Sequence, residues 1–505
     1  MMSTVSTAAI HDPSSLNTAF ALAMDIGSSS VRAALYDAGG IEIPGTEVKF
    51  DREFQTTPDG GAEMYADEAI KQVIGIIDEV LVASTVDTNQ VEIVTTSCFW
   101  HSLVGVDQDG HAVTPLLGWA DTRAARMVEE LQRSFDESDI HSRTGCRFHP
   151  SYWPAKLLWL RGRDADAFRN VASWISFSEL LLRRLFGKAA ISVSMASATG
   201  LFNQRNCEWD ESMLSYLDVR LEQLPRIADD AEFFSDLVGD YSNRWPQLKQ
   251  ARWFPAIGDG AANNIGAGCV TSERAALMIG TSGAMRVMWP GEVPQTVPSE
   301  LWCYRADRQR VITGGALSDG GGLFAWMKKS LRLDGSDDDI ERALDEMQPD
   351  EHGLTLLPFW SGERSTGWNV SARSAIIGLT QYTRPIDILH ASMEAVSYRI
   401  ALVADALDRV SHSVSIIASG GALVSSPVWT QMLADVLGRK ITQSGVREAS
   451  TRGAVLLALE MEGRIRDIAD APAPLARTFE PDMERHARYR EGLERQQKLY
   501  ERLKT

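Results

Sequence analysis

One short pattern occurs twice in this chain. The stretches ALAMDIGSSSVRAALYD, residues 21–37, and ALMIGTSGAMRVMW, residues 276–289, each consist of an apolar run, a small-residue turn and a second apolar run. Ile26-Gly27-Ser28-Ser29-Ser30 aligns with Ile279-Gly280-Thr281-Ser282-Gly283. Short apolar runs bounded by such turns read as strands, so each turn joins strand to strand. A turn of small residues that exposes backbone N–H groups is a natural cradle for phosphate. A Walker loop would join strand to helix and end in Gly-Lys-Ser/Thr, and a dinucleotide site would carry GxGxxG; the opening loop has neither. Duplication of one unit explains the pair. Two related units would set two phosphate hairpins face to face across a cleft.

Each hairpin opens an α/β unit. In the first half, residues 20–26, 31–36 and 41–49 read as three strands. Ile70, Val73, Ile74, Ile77 and Leu81 then mark a helix over Ala69–Leu81, and VEIVTTS reads as a buried strand. In the second half, Leu389, Met393, Val396, Ile400, Val403, Leu407 and Val410 step by four and three along a long helix. VSIIASGGAL is a strand ending in a glycine turn before another helix. The length of 505 residues suits two lobes. Their expected extents are 19–268 and 269–505, after a Ser/Thr/Ala-rich leader over 1–18. The last forty residues alternate in charge and read either as a cap on the C-terminal lobe or a contact surface or, the reading preferred, as a solvated helical tail.

The formal charge of −18 argues against non-specific nucleic-acid binding and against anionic membranes. It leaves room for a phosphorylated ligand, which needs only a local cluster of donors. Five scattered cysteines without CxxC spacing indicate reduced, buried or incidental thiols. The first Lys or Arg is Arg32, so a basic signal-peptide region is missing. No apolar run approaches a membrane span. A cytoplasmic protein is the expectation.

The two hairpins differ in one place. Asp25 precedes the first turn, whereas Met278 holds the matching position in the second. Nucleotide-bound Mg²⁺ needs carboxylate help on one side only. In AIGDGAANNIGAG, Asp259 lies between two glycines at a helix start. It reads either as an N-cap or as a general base projecting into the cleft. Flanking glycines would let the backbone approach a ligand, and the helix N-terminus would favour phosphate. SCFWHSLVGVD and GWADTRAAR supply Trp100, His101, Trp119, Asp121 and Arg123 as a candidate wall for a polyhydroxylated molecule. TGCRFHPSYWPAKLLWL adds Arg147, His149 and Lys156; a basic residue there would suit a substrate carboxylate. Each of these also has a packing reading. ASGGAL, with Gly420, Gly421 and Ala422, has the shape that lets a nucleotide lie on backbone.

Together these pieces resemble the FGGY carbohydrate kinases of the actin-like ATPase superfamily, over about Ala21 to Gly463. The resemblance is carried by the opening hairpin with Asp25, KLLWL, GDGAANNIGAG, IGTSGA, GGALSDGG and ASGGAL, and above all by SAIIGLTQYTRPIDILHASME, residues 374–394. CFWHSLVGVD, WADTRAA and LPFWSGERSTGWN look most like the bacterial gluconokinase-like branch. The resemblance implies two ribonuclease-H-like lobes around a central cleft for ATP and sugar. It makes Asp259 the catalytic base and Asp25 the Mg²⁺-side carboxylate. Gly27, Ser28, Ser29 and Ser30, with Gly280, Thr281, Ser282 and Gly283, would contact ATP phosphates. Gly320 would lie on the nucleotide side, and Gly420, Gly421 and Ala422 beside the adenosine. Trp100, His101, Trp119, Asp121, Arg123 and His149 would serve the sugar or sugar acid, for which D-gluconate is the expectation. Xylulose, ribulose, glycerol or another polyol is the alternative, and a homodimer is in keeping with the relatives. Asp319 departs from the Asn of gluconokinase-like relatives. An ATP-binding sugar sensor without transferase activity would not need both Asp25 and Asp259.

Overall fold

The computed structural model describes residues 20–83, 86–411 and 415–504. The expected leader falls outside them. The first sheet contains β1 (Ala21–Ile26), β2 (Ser30–Tyr36), β3 (Val48–Asp51), β4 (Ile93–Cys98), β5 (Arg252–Trp253) and β6 (Ile257–Gly258). Its order is β5-β4-β1-β2-β3, and β6 also pairs with β4. The β1–β2–β3 meander is antiparallel, whereas β4 runs parallel to both β1 and β5. Helix α1 (Ala66–Ala83) buries Ile70, Val73, Ile77 and Leu81 as the period predicts.

The second sheet contains β7 (Arg274–Ile279), β8 (Gly283–Pro290), β9 (Trp302–Arg305), β10 (Arg310–Leu317), β11 (Ser415–Ser419), β12 (Ile441–Ser444) and β13 (Leu475–Phe479). Its order is β9-β10-β8-β7-β11-β12-β13. The run β10-β8-β7-β11-β12 repeats β3-β2-β1-β4-β5 strand for strand, in the same directions. The duplication read from two loops thus extends through both sheets. Between β4 and β5 the first unit carries a largely helical insertion, including Trp153–Arg163 and Phe177–Phe186.

Two expectations differ from the structure. The third strand begins at Val48 rather than at residue 41. Pro44 has no N–H to donate to a ladder, and Gly45 sits at φ 78°, so residues 41–47 turn instead. The C-terminal helix α5 (Met483–Leu503) is not solvated all round. Tyr489, Leu493, Gln496 and Tyr500, spaced four, three and four apart, are buried against the second lobe. Gln496 Nε2 donates to Leu356 O at 2.9 Å and Ala395 O at 3.2 Å. The charges occupy only the outer face.

Three further helices organise the centre: α2 (Asp259–Gly266), α3 (Pro385–Leu407) and α4 (Ala449–Met461). The apolar face of α3 is buried against β8 and β10. Helix α4 follows the second sheet's β12 yet packs on the first, where Val455, Ala458 and Leu459 join Phe20, Ala21 and Tyr36. It crosses α2 in backbone contact. A Cβ on Gly266 would lie 1.8 Å from Ala449 O, and one on Gly453 1.9 Å from Ala262 O. Gly453→Ala must push the helices apart, and we expect it to cost roughly 1–3 kcal/mol. Denaturant unfolding measures this; an unchanged midpoint would show that the crossing is not tight.

Candidate active site

A cavity of about 750 Å³ opens between the two hairpins. The first unit lines it with Asp25, Gly27, Ser28, Ser29 and Ser30, and the second with Gly280, Thr281, Ser282 and Gly283. In each loop two carbonyls are tied to neighbouring donors, by different means. In the first, Arg52 N donates to Ser29 O at 3.0 Å and its guanidinium donates to Gly27 O. In the second, Gly320 N and Gly322 N donate to Thr281 O at 3.1 and 3.0 Å, and Gly321 N donates to Gly280 O at 2.8 Å. The N–H groups of Ser28, Ser29, Thr281 and Ser282 have no partner among the described residues. Four donors therefore remain for an anion.

Asp25 pairs across β1–β2 with Arg32, and Met278 across β7–β8 with Ala284, so the asymmetry is preserved in register. Ser97 Oγ donates to Asp25 Oδ1 at 2.7 Å. Burial raises the Asp25 pKa, opposed by Ser97 and by the cations of Arg32 and Arg52.

Asp259 is the first residue of α2, delivered there by β6, which is anchored on β4. It is not the N-cap; Gly258 is, and among the described residues Asp259 Oδ1 accepts only from the adjacent Gly260 N, at 2.8 Å. Burial pushes its pKa up to about 6, and the Asp25 charge adds to the rise while Arg286 and Arg364 oppose it. The flanking glycines make room for an indole, and Gly260 also lines the cavity. A Cβ on Gly258 would sit 1.8 Å from Trp100 Nε1, and one on Gly260 2.4 Å from Trp100 Cζ3. Trp100 Nε1 donates to Ser194 O at 3.1 Å, and Ser194 Oγ accepts from Gly258 N at 3.0 Å, so the ring and the Asp259 turn are fixed together.

Beyond Asp259 the cavity is walled by Trp100, His101, Trp119, Trp302, Tyr304, Arg286 and Arg364. Trp302 and Tyr304 stack at 4.2 Å, and Trp100 meets Tyr304 edge-on at 5.2 Å. Both arginines are buried, and Arg286 Nη1 and Arg364 Nε lack a partner among the described residues. Asn263 Oδ1 and Ser419 Oγ, on the same cavity, are likewise unpaired. An aromatic wall with a few unpaired donors and acceptors is the construction of a polar small-molecule site.

The models of the FGGY family of carbohydrate kinases match the chain in both halves, the N-terminal domain over residues 20–266 and the C-terminal domain over 275–461. The chain belongs to this family. It is therefore a carbohydrate kinase, a phosphotransferase with an alcohol acceptor, built on the two-lobed actin-like ATPase fold. Gluconokinase of Bacillus subtilis strain 168 is 25% identical over 462 residues, covering 89% of this chain and 88% of its own. A ligand-bound xylulose kinase structure from Lactobacillus acidophilus superposes with a TM-score of 0.88 at 26% identity, covering 96% of this chain and 98% of its own. A gluconate kinase structure from the same organism gives 0.86, also at 26% identity and with the same two coverages. No helix among the described residues is long and apolar enough to cross a membrane.

Not every residue expected at the kinase site reaches the cavity. Trp100, His101, Trp119, Gly420 and Gly421 line it, but Gly320 and Ala422 do not. Gly320 braces the second hairpin from behind; a Cβ there would strike Ser282 C at 2.6 Å. Asp121 and Arg123 are spent on each other. Arg123 pairs with Asp121 and Glu63 and lies over Trp159, while Asp121 Oδ2 accepts from Ala62 N at 3.1 Å. His149 is buried one layer back, where Ser151 N donates to its Nδ1 at 3.2 Å and Ser151 Oγ donates to Trp119 O at 2.8 Å. Burial, with Arg364 nearby, takes its pKa down to about 3, so it is neutral. Arg147 is held by Glu137 and by Ser299 O. Asp319 is tied to Ser361, from whose N and Oγ it accepts at 2.8 and 2.9 Å.

Arg52, Arg286, Trp302, Tyr304 and Arg364 were not singled out from the sequence. Arg286 did leave a signal, being the one charge in the apolar run over 276–289. Gly258→Ala should expel the Trp100 indole and displace the Asp259 turn. We expect a loss of roughly 1–3 kcal/mol in stability, with sugar-dependent ADP formation falling at least tenfold. Wild-type activity in this variant would show that the glycine is not needed for the indole.

Proposed function

We propose that this kinase transfers the γ-phosphoryl group of ATP to the terminal hydroxyl of a linear sugar acid, D-gluconate, giving 6-phosphogluconate in the cytoplasm. The observation that carries the choice of an acid is the pair Arg286 and Arg364. A buried guanidinium with an unpaired donor is costly, and a substrate carboxylate would satisfy it. A neutral pentulose would offer hydroxyl and carbonyl acceptors but no charge to set against the two guanidinium cations. It is nonetheless the second reading, favoured by the likeness to the xylulose kinase structure.

The four free N–H groups of the hairpins would hold the nucleotide phosphates, with Gly420 and Gly421 beneath the nucleoside. The open face of Gly421, where a Cβ would meet nothing within 4 Å, suits that role. Asp25 fits a Mg²⁺ ion. Ser97 holds one of its oxygens, the other has no hydrogen-bond partner among the described residues, and Mg²⁺ takes only one or two protein carboxylates. When bound, the ion would neutralise charge on the phosphates. Asp259 would accept the hydroxyl proton as the hydroxyl oxygen bonds to the γ-phosphorus and the β–γ bridge oxygen leaves with ADP. A pKa near 6 keeps it largely ionised at neutral pH yet basic enough to share the proton. Closure of the lobes would exclude water, the competing nucleophile.

The test is ADP release from ATP–Mg²⁺ with D-gluconate, xylulose, ribulose and glycerol, using the wild type and Asp259→Asn. Gluconate should give the highest kcat/KM, and the variant should lose about 10²–10⁴-fold. A different best sugar would overturn the gluconate assignment and leave the base standing. Unchanged turnover in the variant would overturn the base.

A further inference from the structure

Lys156 is buried beneath the sugar wall and belongs to neither the cavity lining nor the proposed chemistry. Among the described residues it makes no ion pair. Its Nζ donates one hydrogen bond, to His101 O at 2.6 Å. His101 is one of the few non-glycine residues with positive φ, at 70°, a conformation that costs of order 1–3 kcal/mol and persists only where neighbours impose it. That backbone twist brings the ring into a bridge. Ala198 O can only accept, so His101 Nδ1 donates to it at 2.7 Å, and Nε2 is left to accept from Arg364 Nη2 at 3.3 Å. Arg364, which lines the cavity, in turn lies over Trp119, 5.6 Å from its centroid, and its buried Nε has no partner among the described residues. The chain therefore runs from Lys156 through His101 to the guanidinium assigned above to the sugar acid.

We propose that Lys156 is a positioning residue for sugar binding: it holds the His101 backbone in its left-handed turn, and the His101 ring aims Arg364 into the cavity. This rests on the assignment of Arg364 to the sugar side of the site. The groups that face the ammonium are the Asp121 carboxylate, which favours its charge, and the Arg364 guanidinium, which opposes it. The buried rings of His101 and His149 feel the ammonium in turn, and both are held neutral. Burial, reinforced by Arg364, pulls the Lys156 pKa down to about 7. The ammonium is thus charged below that pH and loses its charge-assisted bond to His101 O above it. Sugar KM should rise as the pH increases through 7, while ATP KM stays flat over the same step.

A double-mutant cycle tests the relay. It uses full-length Lys156→Met, Arg364→Ala and the double variant, assayed with whichever of the four panel sugars the wild type turns over best, so that a wrong sugar does not masquerade as a wrong role. Each single variant should raise sugar KM at least tenfold, and Lys156→Met should leave ATP KM within twofold. The double variant should be no worse than Arg364→Ala alone, because both changes break one series of contacts. The pH step in sugar KM should vanish in Lys156→Met. If that variant does not fold, Lys156→Gln keeps a donor toward His101 O without the charge and takes its place. Multiplicative KM effects, or ATP KM rising in parallel with sugar KM, would overturn the proposal and leave Lys156 a general packing residue.

Discussion

The distance between the two lobes is set where α2 and α4 touch backbone to backbone. Gly266 and Gly453 leave no space for side chains at the crossing, so the helices cannot separate or slide without losing it. Helix α2 begins with Asp259, and the loop ahead of α4 together with its first turn brings Arg447, Glu448 and Ser450 to the cavity. The same crossing that joins the lobes therefore places the acid between the hairpins. Glu448 also reaches Arg32, the residue opposite Asp25, at 2.8 Å.

Within that frame, electrostatics divides the cavity. The hairpins offer neutral N–H donors, held outward by Arg52 on one side and by the backbone of residues 320–322 on the other. Asp25 and Asp259 are both half-buried; the Asp25 charge adds to the cost of ionising Asp259, and Arg286 and Arg364 offset it. Arg286 is itself destabilised as a cation by burial, and Asp259 opposes this. The four charges are thus balanced only in part by one another, and their remaining capacity faces the cavity.

How much of this was legible in the sequence depends on the range of the interaction that fixes each feature. The hairpins are local: apolar runs around a small-residue turn specify them, and their repetition revealed the doubled fold. The position of Asp25 against Met278 was visible for the same reason. The start of the third strand was also local, since Pro44-Gly45 is a turn signal. The docking of α5 was concealed because Arg and Glu outnumber the Tyr and Leu that form its buried face. The sugar wall was the least legible part. Trp302 and Tyr304 come from an edge strand of the second lobe and meet Trp100 of the first only in three dimensions. Asp121 and Arg123, two residues apart and opposite in charge, satisfy each other, a local pairing that a polar-rich segment does not distinguish from a ligand site. The glycines beside Asp259 are places of close approach, as their spacing suggests, and the Trp100 indole is what packs on them.

The account turns on Asp259 being an ionisable base in a cleft where Arg286 tempers its affinity for protons. The most direct measurement is the pH dependence of kcat/KM for the preferred sugar, from about pH 5 to about pH 8, in the wild type and in Arg286→Met. The base must be deprotonated to act, so the wild-type profile should fall with unit slope as pH drops through about 6. Removing the Arg286 cation removes an influence that lowers the Asp259 pKa, so the acid limb should move to higher pH in the variant. A flat profile, or a limb that stays in place when Arg286 is gone, would contradict the account.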